Sequence, residues 1–430
     1  MKRYAEYRDS GIEWIGEIAQ CWDIKKFKHT VDLINVKGNV SDETYVGLEN
    51  IESYTGRHIV TENNNIDGIS NAFNTGDILF GKLRPYLAKC IIADFNGVCS
   101  SELLIFRNFT GNKRYLHRLL LSNGFLETVN SSTYGSKMPR ASWDFIGQIF
   151  IPMPNLEEQQ AIADYLDQKT SAIDTLITDK QKLIELLKEK HQAIISEAVT
   201  KGLDKTAKMK DSGIEWIGEI PEVWEVCKLK HIFANGEDGI KIGPFGSALK
   251  GKTIREGTYK IYNQAHLIQN DFSIDRHFIS EDTFNELSSY EVHPGDILFS
   301  MMGTIGKCRI MPTGFPLGIM DSHLLKAKLN DRCLPEYFEY VYDKDNSNII
   351  IEQLLYYSNG SIMNGLNSSI IKNVYFPLPD IKTQQIIIGY LKTKITSIDT
   401  LITDITSQIE KLKEYRQSVI SEAVTGKVAI

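Results

Sequence analysis

The chain repeats two of its own phrases, and this duplication limits the folds that it can adopt. The phrase DSGIEWIGEIAQCWDIKKFKH begins at Asp9, and DSGIEWIGEIPEVWEVCKLKH begins at Asp211; the two agree at 14 of 21 positions. A second phrase of 31 residues closes each half, from Thr170 to Thr200 and from Ile395 to Thr425, and agrees at 19 positions. The residues between the shared phrases have diverged strongly. This pattern predicts one module written twice, with a constant frame and two different bodies.

The displacement between equivalent positions indicates where the two copies differ in length. The displacement is 202 residues for the opening phrases, 219 for GDILF at Gly76 and Gly295, and 225 for the closing phrases. Chains accept insertions most readily in surface loops. We therefore expect the length differences to lie in loops of the two bodies, and the frame to be preserved.

Length and composition predict a folded protein with more than one core. At 430 residues the chain exceeds the roughly 250 to 300 residues that one hydrophobic core serves. Hydrophobic residues make up 42% and charged residues 24%, as in globular proteins. No apolar run approaches the roughly 20 residues needed to cross a bilayer, and the first residues lead into no hydrophobic signal segment. We expect a cytoplasmic protein.

The sequence contains no pattern typical of a catalytic or metal site. Six cysteines are scattered without a C-x-x-C pair, which predicts free thiols and neither a disulfide framework nor a zinc ribbon. The nine histidines form no H-E-x-x-H pattern. The segment from Gly303 to Cys308 lacks the glycine spacing and the hydroxyl of a phosphate-binding loop. We therefore expect no catalytic residues and no metal ligands in this chain.

The closing phrases are typical of long amphipathic helices. An apolar stripe recurs at steps of three and four in each copy, and Asn155 with Glu158, or Asp380 after two prolines, forms a helix start signal. The stripes are Ile173, Leu176, Ile177, Lys180, Ile184, Leu187, His191, Ile194 and Ala198, and Ile398, Leu401, Ile402, Ile405, Ile409, Leu412, Arg416, Val419 and Ala423. Two such stripes predict an antiparallel coiled coil, which would relate the halves by a pseudo-twofold axis and hold the bodies at a fixed separation. Packing of each stripe on its adjacent body is the alternative.

Short β-prone runs separated by Gly, Asn and Pro fill the bodies. The dipeptides Gly76-Asp77 and Gly295-Asp296 precede predicted strands over 78–80 and 297–299, and we assign both aspartates to turns instead of catalysis. The predicted fold class is α+β: two mixed α/β domains alternating with two long helices, in an internal pseudo-twofold repeat.

The ordered set of motifs resembles the DNA-specificity subunit of type I restriction-modification systems over essentially the whole chain. The motifs are W-I-G-E-I-P-E-x-W (intact from Trp216 to Trp224, altered to Ala19-Gln20-Cys21 in the first copy), P-G-D-I-L-F, and P-x-P-x-x-x-x-Q-Q at the helix entry. The resemblance implies target recognition domains at 1–154 and 204–379 and conserved helical regions at 155–203 and 380–430. It also implies a non-catalytic subunit.

The same resemblance implies a role and a set of partners. Each recognition domain would read one half of an asymmetric, bipartite site in double-stranded DNA, and the helices would set the spacing and dock two modification (methyltransferase) subunits. Those subunits would supply S-adenosylmethionine, and restriction subunits would supply ATP- and Mg-dependent translocation and cleavage. We expect no cofactor in this chain.

The charge of the chain bears on how strongly it is expected to bind DNA. The net charge is −7, whereas phosphate binding favours a basic surface. Residues 71–150 nevertheless carry nine Lys or Arg against five Asp or Glu, whereas residues 156–200 carry five against nine. The basic excess in residues 71–150 suits DNA binding, and the acidic excess in residues 156–200 suits protein partners. We expect weak DNA binding by this chain alone.

Candidate DNA-contacting residues are those whose chemistry matches base edges, since Arg and Lys suit guanine and Asn and Gln suit adenine. Several would contact phosphates instead. In the first domain they are Lys82, Arg84, Lys89, Ser136, Lys137 and Arg140; in the second they are Ser247, Lys250, Lys252, Arg255, Asn263, Gln264, Lys307, Asn364 and Asn367. For each of them an ordinary solvated role is the alternative. For the whole chain, the alternative is a scaffold whose coiled coil tethers two protein- or carbohydrate-binding β domains.

Overall fold

The chain divides into two compact units that share the long helices. The computed structural model describes residues 3–38, 44–60, 70–135, 137–236, 239–275, 277–302, 304–357 and 368–430. Unit 1 comprises Met1–Gln181 and Thr406–Ile430, and unit 2 comprises Lys182–Ile405. Each long helix therefore contributes one part to each unit.

The first half of the chain supplies eleven short strands and three short helices before its long helix. The strands are β1 (Tyr7–Asp9), β2 (Glu17–Ala19), β3 (Asp23–Lys26), β4 (Asp32–Ile34), β5 (Thr44–Val46), β6 (Ser70–Phe73), β7 (Ile78–Gly81), β8 (Cys90–Ile92), β9 (Gly97–Ser100), β10 (Leu103–Arg107) and β11 (Phe150–Met153) among the described residues. The helices are α1 (Lys113–Leu120), α2 (Asn123–Ser131), α3 (Trp143–Ile146) and the long α4 (Leu156–Lys201).

The second half follows a similar order. Its strands are β12 (Met209–Asp211), β13 (Glu219–Pro221), β14 (Glu225–Lys228), β15 (Lys241–Ile242), β16 (Tyr259–Tyr262), β17 (Phe278–Ile279), β18 (Ile297–Ser300), β19 (Cys308–Ile310), β20 (Gly318–Met320), β21 (Leu324–Ala327) and β22 (Tyr375–Leu378). Its helices are α5 (Gly246–Leu249), α6 (Gln264–Gln269), α7 (Glu281–Glu286), α8 (Pro335–Tyr342), α9 (Ile349–Tyr357), α10 (Ser368–Asn373) and the long α11 (Ile381–Val424). The predicted α+β class is confirmed.

The central sheet of each unit has the same strand order. In unit 1 the order is β4-β10-β7-β8, and in unit 2 it is β15-β21-β18-β19, with antiparallel neighbours throughout. The second sheet differs. Both units keep one parallel pair, β5 with β9 and β16 with β20, but the third strand is added beside β9 in unit 1 and beside β16 in unit 2. The bodies have therefore diverged at the edge of this second sheet.

Both aspartates of the GDILF motifs have the turn role that the sequence predicts. The Asp77 carboxylate accepts a hydrogen bond from the Asn74 backbone N–H at 2.8 Å, and Asp296 accepts one from the His293 N–H at 2.9 Å. Asp77 is also held by the Arg107 guanidinium at 2.6 and 2.8 Å. These contacts fix the turn that starts the central strand of each sheet.

Each opening phrase packs against the end of a long helix, which explains why both phrases persisted. In unit 1, Ile18 and Trp22 share a core with Ile420 and Val424 near the end of α11. In unit 2, Ile220 and Trp224 share a core with Ile195 and Val199 near the end of α4, so the same interface occurs twice. A buried tyrosine hydroxyl completes it, because Tyr115 donates to the Val424 carbonyl at 3.2 Å and Tyr337 to the Val199 carbonyl at 3.3 Å.

The P-x-P-x-x-x-x-Q-Q motif forms the entry to each long helix. The first glutamine is buried: the Gln159 side chain donates to the Pro154 carbonyl at 2.7 Å and accepts from the Asn112 N–H at 2.8 Å. Gln384 makes the equivalent bonds to Pro379 and Leu334, both at 2.8 Å. Start signals are also confirmed, since Asn155 caps α4 and Asp380 caps α11 through backbone N–H groups at 2.9 and 3.0 Å.

The long helices pair antiparallel, as predicted. In unit 1, Asp174 of α4 contacts Arg416 of α11 at 2.8 Å, and Lys180 contacts Gln408 at 2.6 Å, so the residue number falls along one helix as it rises along the other. In unit 2, His191 lies 4.0 Å from Asp399, which is the repeat counterpart of the Arg416–Asp174 pair. The α4 helix runs unbroken through 167–170, where Thr170 is buried.

Two leucines of the predicted stripes lie outside the buried seam. Leu176 is 44% exposed and its repeat counterpart Leu401 is 48% exposed, whereas Ile173 and Ile398 are buried. A pair of helices buries a narrow seam only, and positions at its flank stay accessible unless a third element covers them. The prediction that both leucines belong to the buried face was therefore wrong.

All six cysteines are free, as predicted. Among the described residues no group of three His, Cys, Asp or Glu side chains is placed to hold a metal ion. No helix in this part of the chain combines the length and apolarity needed to span a membrane.

We predict that unit 1 loses stability as the pH falls from about 6.5 to about 4. Burial, assisted by the neighbouring Arg118, lowers the pKa of His117 to about 4, and its Nε2 is hydrogen-bonded to the Cys90 carbonyl at 2.9 Å. Between these pH values the imidazole binds a proton in the unfolded state but not in the folded state. The free energy of unfolding therefore decreases as the pH falls through this window, by up to about 3 kcal/mol. Thermal unfolding of H117Q, compared with wild type from pH 7 to 4, tests this. An unchanged pH slope in H117Q would contradict it.

We predict that Asp174→Ala destabilises unit 1 far more than Asp399→Ala destabilises unit 2. Removing Asp174 leaves the buried Arg416 guanidinium without its carboxylate, a loss of about 3 kcal/mol or more. Asp399 is the matched control, since its side chain is 62% exposed and its partner is a histidine at 4.0 Å. We expect a change of about 0.5 kcal/mol or less there. Chemical denaturation of both variants measures the difference, and equal losses would refute the assignment.

Candidate nucleic-acid interface

Each unit gathers several loops at one end of its central sheet. In unit 1 these are residues 81–84 after β7, the turn 100–102 before β10, and residues 134–135 and 137–140; we call this surface rim 1. In unit 2 they are residues 243–247 after β15, 263–264 after β16, 300–302 and 304 after β18, and the turn 321–323 before β21; we call this surface rim 2. The antiparallel order of the strands brings these segments to one edge.

The same backbone hydrogen bond builds both rims. The Lys82 N–H donates to the Glu102 carbonyl at 3.0 Å in rim 1, and the Met301 N–H donates to the His323 carbonyl at 3.0 Å in rim 2. The two donors are 219 positions apart, which is the displacement of the GDILF motifs. The rims are thus equivalent surfaces that carry unlike side chains, with Lys82 replaced by Met301 and Glu102 replaced by His323.

Rim 1 is rich in charged groups and contains four of the predicted residues: Lys82, Arg84, Lys137 and Arg140. Arg84 and Lys137 are exposed. Arg84 has a left-handed backbone with φ of 51°, and its N–H donates to the Pro139 carbonyl at 2.7 Å, which ties residues 82–84 to the 137–140 segment. The backbone there holds the guanidinium of Arg84 at the surface.

Arg140 is anchored within rim 1. Its guanidinium contacts both carboxylate oxygens of Glu102 at 3.0 to 3.1 Å, and these hydrogen bonds raise its pKa. An Arg that is held by a carboxylate in this way keeps a fixed orientation and retains free N–H donors. The sequence could not indicate this pair, because Glu102 and Arg140 are 38 residues apart.

The structure places Lys89 in a different role from the other predicted residues of unit 1. Its ammonium donates to the carbonyls of Leu48 and Ile51, both at 2.7 Å, and burial lowers its pKa. The side chain therefore fastens a loop of unit 1. Ser136 lies outside the described residues.

Rim 2 contains three of the predicted polar residues, and each has a clear position. Ser247 is exposed in the single turn of α5. Asn263 caps α6, since its side-chain oxygen accepts from the Ala265 N–H at 3.0 Å. Gln264 donates to the Ser300 hydroxyl at 2.9 Å and to the Met302 carbonyl at 2.6 Å, which connects the α6 and β18 segments of the rim.

The remaining predicted residues of unit 2 differ in whether their side chains are exposed or already paired within the protein. Lys250 and Arg255 are exposed beyond α5, whereas the Lys252 ammonium contacts Glu286 at 2.7 Å. Lys307 is buried, only 6% exposed, and its ammonium is held by Asp345 with Asp343 nearby. A lysine in that position stabilises the β18–β19 connection instead of facing a ligand. Asn364 and Asn367 lie outside the described residues.

Three residues of rim 2 were not among the sequence candidates. Phe245 is 86% exposed and Met302 is 51% exposed, and His323 presents an exposed imidazole in the turn before β21. Burial raises the pKa of Asp321, whose carboxylate accepts from the His323 N–H at 2.9 Å and shapes this turn. A phenylalanine within Gly-Pro-Phe-Gly is the signal that sequence reasoning could have used, because the candidates were restricted to polar types.

The helix pair is flanked by a groove in each unit. In unit 1 a cavity of about 600 Å³ lies beside Asp174, Arg416 and the 52–57 loop. In unit 2 a cavity of about 870 Å³ lies beside the counterpart residues Asp399 and His191, against α8. Burial raises the pKa of Glu339 in this second groove to about 7. Equivalent helix positions thus line both grooves, while the bodies supply different walls.

Known proteins are similar to this chain in sequence and in fold. The profile of the type I restriction modification DNA specificity domain matches residues 15–186 and 221–411. The specificity subunit of the type I restriction enzyme MjaVIII of Methanocaldococcus jannaschii is 25% identical over 395 residues, 87% of this chain and 82% of that protein. The EcoKI specificity subunit of Escherichia coli is 23% identical over 349 residues, 79% and 69% of the two chains.

A solved structure from work on complex assembly and conformational transition of the type I restriction-modification system has the same fold. The two chains superpose with a TM-score of 0.69 at 16% identity, over 95% of this chain and 98% of the other. The profile match covers well over half of the sequence and occurs once in each half. This chain therefore belongs to the type I restriction-modification DNA specificity family, as a specificity subunit with two target recognition domains.

Proposed function

We propose that rim 1 and rim 2 each read one half of an asymmetric, bipartite site in double-stranded DNA. The observation that carries this proposal is the pair of equivalent rims with unlike side chains, Lys82 and Glu102 in one and Met301 and His323 in the other. Two identical rims would read identical half-sites, whereas unlike rims read unlike sequences. Exposed Arg84 and Lys137 in rim 1 suit guanine edges and phosphates, whereas both N–H donors of the Gln264 amide in rim 2 are already bound to Ser300 and Met302.

Partner subunits supply the chemistry in this proposal. Two modification subunits carry S-adenosylmethionine and methylate adenine, and restriction subunits use ATP and Mg for translocation and cleavage. Support comes from family membership and from the charge balance of this chain, whose first helical segment 156–200 carries nine acidic residues against five basic ones. The antiparallel helices fix the spacing between the half-sites, and the modification subunits dock along them.

The exposed leucines of the helices give this docking a physical basis. Leu176 and Leu401 occupy the same repeat position and remain 44% and 48% exposed. A leucine side chain gains roughly 1.5 to 3 kcal/mol on full burial. Two equivalent apolar contacts, one in each unit, suit two copies of one partner.

The role in DNA recognition is tested by sequencing methylated adenine across the genome of cells that express this chain with its cognate modification subunit. A split, asymmetric motif that disappears when this chain is deleted is the expected result. Absence of any chain-dependent motif, with the modification subunit shown to be active, would overturn the proposal and favour a scaffold that binds proteins or carbohydrates.

We predict that the two half-sites are separable. Exchanging residues 30–150 for the corresponding body of another family member should change one half of the methylated motif and leave the other half and the spacing intact. The physical reason is that rim 1 is built within unit 1, on its own sheet. Methylation sequencing of the exchanged protein provides the measurement. A change in both half-sites would contradict modular reading.

We predict opposite effects for Arg84→Gln and Lys89→Met, two cationic residues five positions apart. R84Q removes an exposed cation, so we expect DNA binding by the complex to weaken roughly tenfold with little change in stability. K89M leaves the Leu48 and Ile51 carbonyls without their donor, which should destabilise unit 1 by about 1 to 3 kcal/mol. Binding titrations and chemical denaturation of both variants separate the two roles. Loss of DNA binding in folded K89M together with full binding in R84Q would reverse the assignment.

A further inference from the structure

Rim 2 presents two exposed apolar side chains, whereas rim 1 combines exposed Tyr134 and Met138 with the cations Arg84 and Lys137. Phe245 is 86% exposed between Gly243-Pro244 and Gly246, and Met302, 51% exposed, follows β18. Both lie beside the same turn: the Gly243 N–H donates to the Leu324 carbonyl at 2.9 Å, and the Met301 N–H donates to His323. In rim 1 the position of Met301 is occupied by Lys82 and the position of Met302 by Leu83, so a cation of rim 1 is replaced by a thioether directly before the exposed Met302.

The backbone of rim 2 is shaped to hold this apolar tip outward. A Cβ atom at Gly243 would lie 1.8 Å from the Asp321 carbonyl oxygen, so only glycine permits this close approach of the two loops. Pro244 is buried and stiffens the chain directly before Phe245. One turn of helix follows, with the Ala248 N–H donating to the Phe245 carbonyl at 2.8 Å. The exposed ring therefore stands on a fixed loop.

The segment that carries this tip has a local excess of cations. Residues 239–256 contain Lys241, Lys250, Lys252 and Arg255 and one acidic residue, Glu256, although the chain as a whole has a net charge of −7. Lys250 and Arg255 are exposed. We call these two exposed cations the collar residues. An exposed apolar side chain with cations on the same segment fits a polyanion that offers apolar groups within a groove. In the DNA major groove that group is the C5-methyl of thymine.

We propose that Phe245, with Met302 on the same rim, is an apolar specificity contact of rim 2 that packs against a thymine methyl group in the half-site read by unit 2. This inference rests on the proposed function, because it presupposes that rim 2 faces DNA. It assigns the collar residues Lys250 and Arg255 to phosphate contacts. Unit 2 thus selects an A·T pair through methyl burial.

The test uses this chain in complex with its modification subunit and duplexes that carry the methylated motif. Each thymine of the unit 2 half-site is replaced in turn by deoxyuridine, which removes the methyl group alone. We expect one position at which this replacement weakens binding by the wild-type complex roughly fourfold, the effect of one buried methyl group. F245A should bind the unmodified duplex roughly tenfold more weakly and should no longer respond to deoxyuridine at that position.

Two control variants separate this contact from the effect of removing any exposed apolar side chain or any exposed cation. L317A removes an exposed leucine at the opposite end of β20, 53% exposed, and should leave binding and the deoxyuridine response unchanged. K250M should weaken binding to all sequences and reduce the salt dependence by about one phosphate contact, whereas F245A should leave that salt dependence unchanged. Circular dichroism of each variant establishes that it is folded.

The outcomes distinguish this inference from the proposed function. If wild-type complex shows no preference for any motif, the proposed function fails. If wild type prefers the motif but F245A binds equally well and keeps the deoxyuridine response, the function stands and the apolar contact is refuted. If F245A instead loses the modification subunit in size-exclusion chromatography and binds DNA normally once saturated with it, the tip is a protein contact and the inference is refuted.

Discussion

The structure depends on the interface between each opening phrase and the last turns of a long helix. Trp22 shares a core with Val424 in unit 1, and Trp224 shares one with Val199 in unit 2. Burial of large aromatic and aliphatic side chains provides much of the free energy of folding, so this interface fixes the position at which each long helix ends. Divergence of the bodies could proceed only where it did not disturb these contacts. The opening and closing phrases form the two sides of one packing interface, which occurs once in each unit.

The frame was predictable because its signals are local. Asn155 and Asp380 cap the helices that follow them, the apolar residues recur with the helical period, and the aspartates of GDILF close the turns that precede their strands. Local rules failed at Leu176 and Leu401, because the period defines a face but does not set how wide the buried part is. That width depends on how many elements pack against the helix.

The rims were much less predictable, because long-range contacts decide which cations are free. Lys89 and Lys307 are indistinguishable in sequence from Lys82 or Lys250, yet one holds two carbonyl groups and the other is buried with Asp345. Arg140 is fixed by Glu102, a partner 38 positions away. Restricting the candidates to polar residues also excluded Phe245 and Met302. The loops that meet at a rim are chosen by strand pairing, which the sequence alone did not define.

Both rims are tied together by a bond from a backbone N–H to a backbone carbonyl, at Lys82 in one unit and at Met301 in the other. Such a bond is indifferent to the side chains of the residues that make it. A lysine can therefore be replaced by a methionine without weakening this bond, whereas replacing Glu102 also removes the carboxylate that holds Arg140. If the rims read DNA as proposed, a new target sequence can therefore arise through substitutions at these positions while the backbone bond that shapes each rim is kept.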